Sequence, residues 1–384
     1  MGHKGSGRPG RSPAYQIPRS SDALDSLTQA ALGAVVGEAV LGRKVGNRAL
    51  AWGALAGTIP DLDILAYPLL DPAAELLFHR GPTHGLAFAP VVGPLLGLAV
   101  FALYRWRARR KGVPDAGNAA AGWRGWGWLF FWGLLTHPLL DAFTVYGTQL
   151  LAPFSNRPFA LPAVFIIDPG YTLPLLAAVG ALLWMRRRGT LTEGKREWAV
   201  ALGLTLSTAY LALGLLFKTA VKRDVRAALQ ADGIPAERVL TTPGPLTTLL
   251  WTAYADAGDT VHVATRSVLD DGPVRFDHAI PKRADLLAPV AGTRAAETLA
   301  WFHRGYVSAV PAPPGSGAVV RVRDLRFGRT DAWLTDGDAP FVFTFDLVRD
   351  DAAEDGVTFR QAQPDVRLSG ENLRRLLDRI GGED

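Results

Sequence analysis

Apolar positions fall into two regimes along the chain. Before Phe217 they gather in long unbroken runs, and after it they alternate with polar residues and turn formers. Gly85–Trp106, Trp123–Phe143 and Glu197–Phe217 each reach the about 20 residues that a helix needs to cross a bilayer. Tyr171–Met185 is slightly shorter and ends in Arg186-Arg187-Arg188. Leu27–Leu41 and Ala49–Ile59 are shorter still, and read as tilted spans or a buried helical hairpin. These two carry the Gly-xxx-Gly steps Gly33/Gly37 and Gly53/Gly57, which allow helices to approach closely in lipid. The pattern predicts a membrane all-α bundle of about six helices over residues 23–217. Residues 219–384 read as a soluble α+β domain, with strands at Leu246–Tyr254, Thr260–Val268, Ala318–Phe327 and Pro340–Val348 and helices at Thr293–Trp301 and Glu371–Ile380. Residues 1–22 are polar and rich in Gly, Pro and Ser, and read as a disordered tail with no apolar signal segment.

Charge orients this bundle. The connections 42–48, 105–124 and 186–196 hold nearly all the Lys and Arg of the apolar half, whereas 60–84 and 142–170 hold only Arg80 and Arg157. The positive-inside rule places the first set in the cytoplasm and residues after Phe217 outside it. The expected setting is thus a membrane crossed several times, with an extracytoplasmic C-terminal domain. The basic N-terminal tail falls outside on this scheme, against the rule. The net charge of +5 comes largely from clusters beside apolar runs, so it reads as topology, and no nucleic-acid partner is expected. Trp123, Trp126, Trp128 and Trp132 read as an interfacial belt.

The chain has no cysteine, so disulfides and thiolate metal sites are excluded. Any metal must sit on His, Asp or Glu, which favours zinc, manganese or magnesium. The ionisable residues of the apolar half supply such a set. Asp61 and Asp63 follow the second run, His79 and His84 precede the third, His137 and Asp141 close the fourth, and Asp168 precedes the next. On the six-span topology all lie at the non-cytoplasmic end, where buried charge is costly and signals function. His137 and Asp141 are four residues apart and share a helix face. Asp61 and Asp63 are two apart and would point the same way in an extended segment. Gly81 and Pro82 bend the chain so that both His79 and His84 turn inward. Each piece also has a plain structural explanation as a capped turn, a hydrogen-bonded pair or an interfacial residue. Their convergence on one side favours a divalent metal site, with Asp61, His79, His84, His137 and Asp141 as ligands and Asp63 and Asp168 as base or orienting carboxylates. Arg80 and Arg157 are the candidate phosphate contacts. Glu38, inside the first run, is read as structural, and His262, His278 and His303 as ordinary residues of the C-terminal domain.

The stretches DSLTQAALGAVVGEAVLGRKVGNRALAWGALAGTIPDLD, HRGPTHGL and GWLFFWGLLTHPLLDAFTVYGTQLLAPFS, followed by FIIDP, resemble the YdjM-like, LexA-linked family of inner-membrane metal-dependent hydrolases in its long form. The resemblance covers roughly residues 25–185, and it implies hydrolysis and a bacterial inner membrane as the setting. It departs from the family at Gln29, where many members carry a His; if that His is a ligand, this chain either has fewer ligands or uses Asp25 instead. A more distant likeness to zinc-dependent phospholipase C implies phosphoester cleavage. The expected function is a membrane-bound hydrolase in which a metal-activated water attacks an ester, most plausibly a phosphoester, of a lipid or lipid-linked substrate. The alternatives are a divalent-cation transporter and a non-catalytic scaffold braced by a structural metal.

Overall fold

The computed structural model describes residues 19–329, 340–362 and 370–382, with side chains from Ser26 onward. The expected tail lies outside the described residues as far as residue 18, and the first helix, α1 (Arg19–Val45), already covers its end. Gly46, with φ 61°, turns the chain into α2 (Asn47–Thr58), which packs back on α1 as a hairpin. The two Gly-xxx-Gly steps face each other. A Cβ on Gly33 would lie 2.3 Å from the Gly53 carbonyl oxygen, and one on Gly57 equally close to that of Gln29. Only glycine permits this approach.

A 3-10 segment, Pro60–Leu69, bends away from α2 by 45°. The short α3 (Pro72–Phe78) follows, and then α4 (Phe88–Lys111), α5 (Ala116–Asp141), α6 (Pro169–Arg187) and α7 (Glu193–Ala231). Every expected apolar run is helical. Among the described residues, however, length and composition qualify only α4 and α7 as spans, or three if α2 and the bent segment count as one. Polar and small residues interrupt the others: α5 carries Gly122 in a non-helical conformation, and α6 ends in Arg186 and Arg187. The Trp cluster divides as well. Trp123, Trp128 and Trp132 are exposed, whereas Trp126 is fully buried, stacked on Tyr104 and donating to Asn118.

Helix α7 has 39 residues, so it runs about 58 Å. That is roughly twice the hydrocarbon thickness. Its second half leaves the bundle and packs Val221, Val225, Ala228 and Leu229 beneath the first sheet of the C-terminal domain. That sheet is the antiparallel meander β1 (Arg238–Pro243), β2 (Leu250–Ala257), β3 (Thr260–Ser267) and β4 (His278–Pro281). Helix α8 (Arg294–His303) leads to a second antiparallel meander: β5 (Val307–Pro311), β6 (Ala318–Arg329), β7 (Phe341–Arg349) and β8 (Val357–Ala362). Helix α9 (Gly370–Ile380) closes the described chain. In β7 the PheValPheThrPhe pattern puts every second side chain on one side of the sheet, and Phe343–Leu347 are buried on both sides.

The C-terminal domain is not a separate bead. Its core of Leu299, Phe302, Phe343 and Phe345 takes in Ala73 and Leu76 of α3, with Tyr146 packed against it. Arg294 bonds Asp71 at 2.8 Å, Trp301 donates to the Asn156 carbonyl and Arg304 to that of Tyr146. The loops that carry the candidate site are therefore held from above by α8.

Candidate metal centre

Three chain breaks bring the site together. Pro60 ends α2 and delivers Asp61. The turn Pro82–His84 delivers His84, and the last turns of α5 deliver His137 and Asp141. His84 Nε2 lies 3.1 Å from His137 Nε2. Asp61 Oδ1 lies 3.2 Å from His137 Nε2 and 3.4 Å from His84 Nε2. Ligand atoms bonded at about 2.0–2.1 Å in a tetrahedral zinc-type site stand about 3.3 Å apart. The triangle Asp61, His84, His137 thus has the edge lengths of one face of such a site. Asp141 Oδ2 lies 3.4 Å from each imidazole Nε2 and has no hydrogen-bond partner, though fully buried.

The surroundings fix which ring atoms face inward. His137 Nδ1 donates to the Gly57 carbonyl at 2.5 Å, and His84 Nδ1 lies 3.0 Å from the Thr83 hydroxyl. The carbonyl requires the proton on His137 Nδ1, and with His84 in the same tautomer, donating to Thr83, two Nε2 lone pairs face each other beside two carboxylate oxygens. Lone pairs repel at that distance unless a cation lies between them. The donor set therefore fits a divalent ion on chemical grounds. Both histidines are buried, whereas the Asp61 side chain is 22% exposed, which leaves the triangle one open edge.

The other expected residues take different places. Asp63 does not point with Asp61. The segment is 3-10 rather than extended, so side chains two residues apart diverge. Asp63 instead accepts from the Arg80 backbone N–H at 3.0 Å and lies 3.4 Å from His79 Nδ1. His79 stands outside the triangle, with its ring 6.4 Å from that of His84 and 5.2 Å from Tyr146. Arg80 is buried, lies 3.4 Å from Asp141 and donates to Thr144. Arg157 is exposed, and the contact observed for it is its own N–H to Ser155. Asp168 caps α6 through the Gly170 N–H and pairs with Tyr210, and no bond observed for it reaches the triangle.

One residue went unassigned in the sequence. Gln29 is buried, and its Nε2 donates to Asp141 Oδ1 at 2.9 Å and to the His137 carbonyl at 3.3 Å. The signal was the departure at Gln29 that the family resemblance implied, and this position points into the site. The Asp25 side chain lies outside the described residues. Glu38 sits at the far end, bonded to Arg186 at 2.5 Å and 3.8 Å from Arg196. It ties α1 to α6 and α7, a structural role.

Residues 24–221 match the YdjM inner membrane protein family, more than half of the chain. The chain belongs to this family. It is also 31% identical over 182 residues to the inner membrane protein YbcI of Escherichia coli (strain K12), a match covering 45% of this chain and 96% of that protein. No solved structure matches the chain. The YdjM match spans α2, Asp61, His84 and His137 and ends within α7. The whole candidate centre therefore belongs to the YdjM portion, and both sheets of the C-terminal domain lie beyond it.

Proposed function

We propose that the chain is a membrane-bound, metal-dependent hydrolase of phosphoesters carried by a lipid or lipid-linked molecule. The observation that carries this reading is the convergence of His84 Nε2, His137 Nε2 and Asp61 Oδ1 within 3.1–3.4 Å, open on the Asp61 side. Asp61, His84 and His137 would hold the ion, zinc by donor type with manganese or magnesium as alternatives. A bound ion of this kind supplies Lewis acidity and an attacking water acidic enough for neutral pH. Around it, Asp141 is held between Gln29 and Arg80 and steadies both ligand histidines. His79, with Asp63 behind it, is placed to hold or pass a proton at the mouth. Arg80 sets positive charge beside the reacting ester. Asp168 and Arg157 are left without a role in this chemistry.

An apolar rim supports a lipid substrate. Beside Asp61, Leu65 is 70% and Leu69 87% exposed, and Phe154, on the loop after α5, is 87% exposed. Such residues suit the acyl boundary of a membrane and cost free energy in water. The distribution of loop charges supports a multi-pass topology with the centre and the C-terminal domain on the extracytoplasmic side. A cation pathway would need polar residues at several depths. Glu38 lies at the opposite end, but Arg186 and Arg196 occupy it.

A second reading, an ion that only braces the helices, draws on one observation. Asp141 Oδ2 could act as a fourth protein ligand and close the site. Metal analysis and turnover of the detergent-purified chain separate the two. The hydrolase reading expects about one divalent ion per chain, lost in His137→Ala and Asp61→Ala, together with cleavage of a phosphomonoester, phosphodiester or phospholipid. Stoichiometric metal with none of these cleaved leaves the brace. No metal after reconstitution with excess divalent ions overturns both.

A further inference from the structure

A second polar cluster lies between the metal centre and the C-terminal domain. His79, Arg80, Tyr146, Phe302 and Arg304 line a small cavity, about 10 Å³, with Trp301 at its edge. That is room for one oxygen atom of water size. Its polar groups are under-used. The Tyr146 hydroxyl and Arg304 Nε are both buried and have no hydrogen-bond partner. Arg304 spends one Nη on the Tyr146 carbonyl at 2.7 Å, and among the described residues no carboxylate lies within ion-pair range of it. The nearby carboxylates are committed elsewhere: Asp324 to Arg326, Asp63 to the Arg80 backbone and His79, and Asp141 to Gln29 and the Arg80 side chain. The Arg80 guanidinium lies 5.0 Å from the centre of the Tyr146 ring.

Backbone conformation marks the same two arginines. Four described residues other than glycine have positive φ, and two are Arg80 at 55° and Arg304 at 54°. Such backbone is strained, and it persists where the surrounding contacts over-determine it. Arg80 is fixed through its N–H to Asp63 and through its carbonyl, which accepts from Gln149. Arg304 is fixed as the C-terminal cap of α8. Burial, and then the neighbouring Arg326, push the Arg304 guanidinium down to about 10, the mark of a cation lacking its counterion.

We propose that this cavity receives one oxygen of a phosphoryl group, with Arg304 and the Tyr146 hydroxyl as donors and Arg80 as the second cation. The C-terminal domain would then supply one of the two cations, Arg304. As to its purpose, the proposal rests on the hydrolase reading. Its binding chemistry is independent of it, because neither Arg304 nor Tyr146 belongs to the metal triangle.

The test is equilibrium dialysis of radiolabelled inorganic phosphate against the full-length chain in detergent, after chelation so that no ion competes. The expected result is one phosphate per chain, weakened about tenfold or more in Arg304→Gln and about fivefold in Tyr146→Phe. Tyr146→Phe removes only a hydroxyl that the fold leaves unpartnered, so an unchanged thermal midpoint keeps that arm valid if Arg304→Gln misfolds. Competition with glycerol phosphate and with short-chain phosphatidic acid assigns the source. Stronger competition by the lipid supports a headgroup, and equal competition supports a free phosphate. Phosphate affinity unchanged in a folded Tyr146→Phe, together with that of a folded Arg304→Gln or Arg304→Lys, overturns the proposal. Chelated protein that binds phosphate through Arg304, from a chain that proves to hold no metal, would keep this pocket and discard the hydrolase.

Discussion

His137 has two ring nitrogens with opposite duties. Nδ1 is spent on the Gly57 carbonyl, and that bond frees Nε2 for an ion. Gln29 performs the matching task for Asp141, donating to Oδ1 while Oδ2 turns to the histidines. Gln29→Ala is expected to leave that carboxylate free to rotate and to lower metal affinity about 10–100-fold, read by competition with a metallochromic chelator. Unchanged affinity would show that Arg80 alone positions Asp141. His303 makes a separate prediction. It is buried, its Nδ1 accepts from the Gly305 N–H, and burial pushes it down to about 4. The unfolded chain takes up its proton near pH 6.5, so folding stability is whole above that pH. It declines as pH falls from about 6.5 to 4, by up to about 3 kcal/mol. Chemical denaturation across this range checks the sign, and His303→Gln should flatten that part of the profile.

Between elements, the closest contact is the glycine seam of α1 and α2. It sets the height of the Gly57 carbonyl and hence the ring of His137. Gly53→Val is expected to force the helices apart, costing about 1–3 kcal/mol, and to weaken metal binding although no ligand is touched. Loss of stability with intact metal affinity would uncouple the seam from the site. Helix α3 presents a different case. It is one of the bundle's own segments, yet Leu76 is buried in the core of the C-terminal domain. Glu75 beside it is raised to about 7, first by burial and then by Asp71. The folded form prefers the protonated acid, so its contribution is present below about pH 4.5 and lost as pH rises through 7. Glu75→Gln is therefore expected to raise the thermal midpoint at pH 8 and to leave it nearly unchanged at pH 5.

For the whole molecule, the YdjM match ends at Val221 within the long helix α7, and the match to YbcI covers 96% of that protein but only 45% of this chain. A chain ending after Val221 is expected to insert in membranes and keep its divalent ion, with a lower thermal midpoint because Ala73 and Leu76 lose their cover. It should bind phosphate weakly, lacking Arg304. Loss of the ion on truncation would mean that α8 helps to hold the triangle together.

Much of this was written in local pattern. Runs of apolar residues specify helices because each can satisfy its backbone within itself, whatever its neighbours. Alternation in β7 specifies a sheet face for the same local reason. The types of ligand were legible too, since a chain without cysteine has only His and carboxylates to offer. What the sequence could not rank was the members of that set. His79 and His84 were both read as ligands, and Asp61 was set apart from Asp63 without a geometric reason. A 3-10 bend turned one aspartate to the ion and the other to the Arg80 backbone, and a turn at Pro82 took His84 inward and left His79 at the rim. Gln29 and Arg304 lie 275 positions apart and entered the site's surroundings only through packing. Local spacing carries periodicity and donor chemistry. Which lone pairs meet across 3 Å depends on how separate helices are held, and only the tertiary structure decided that.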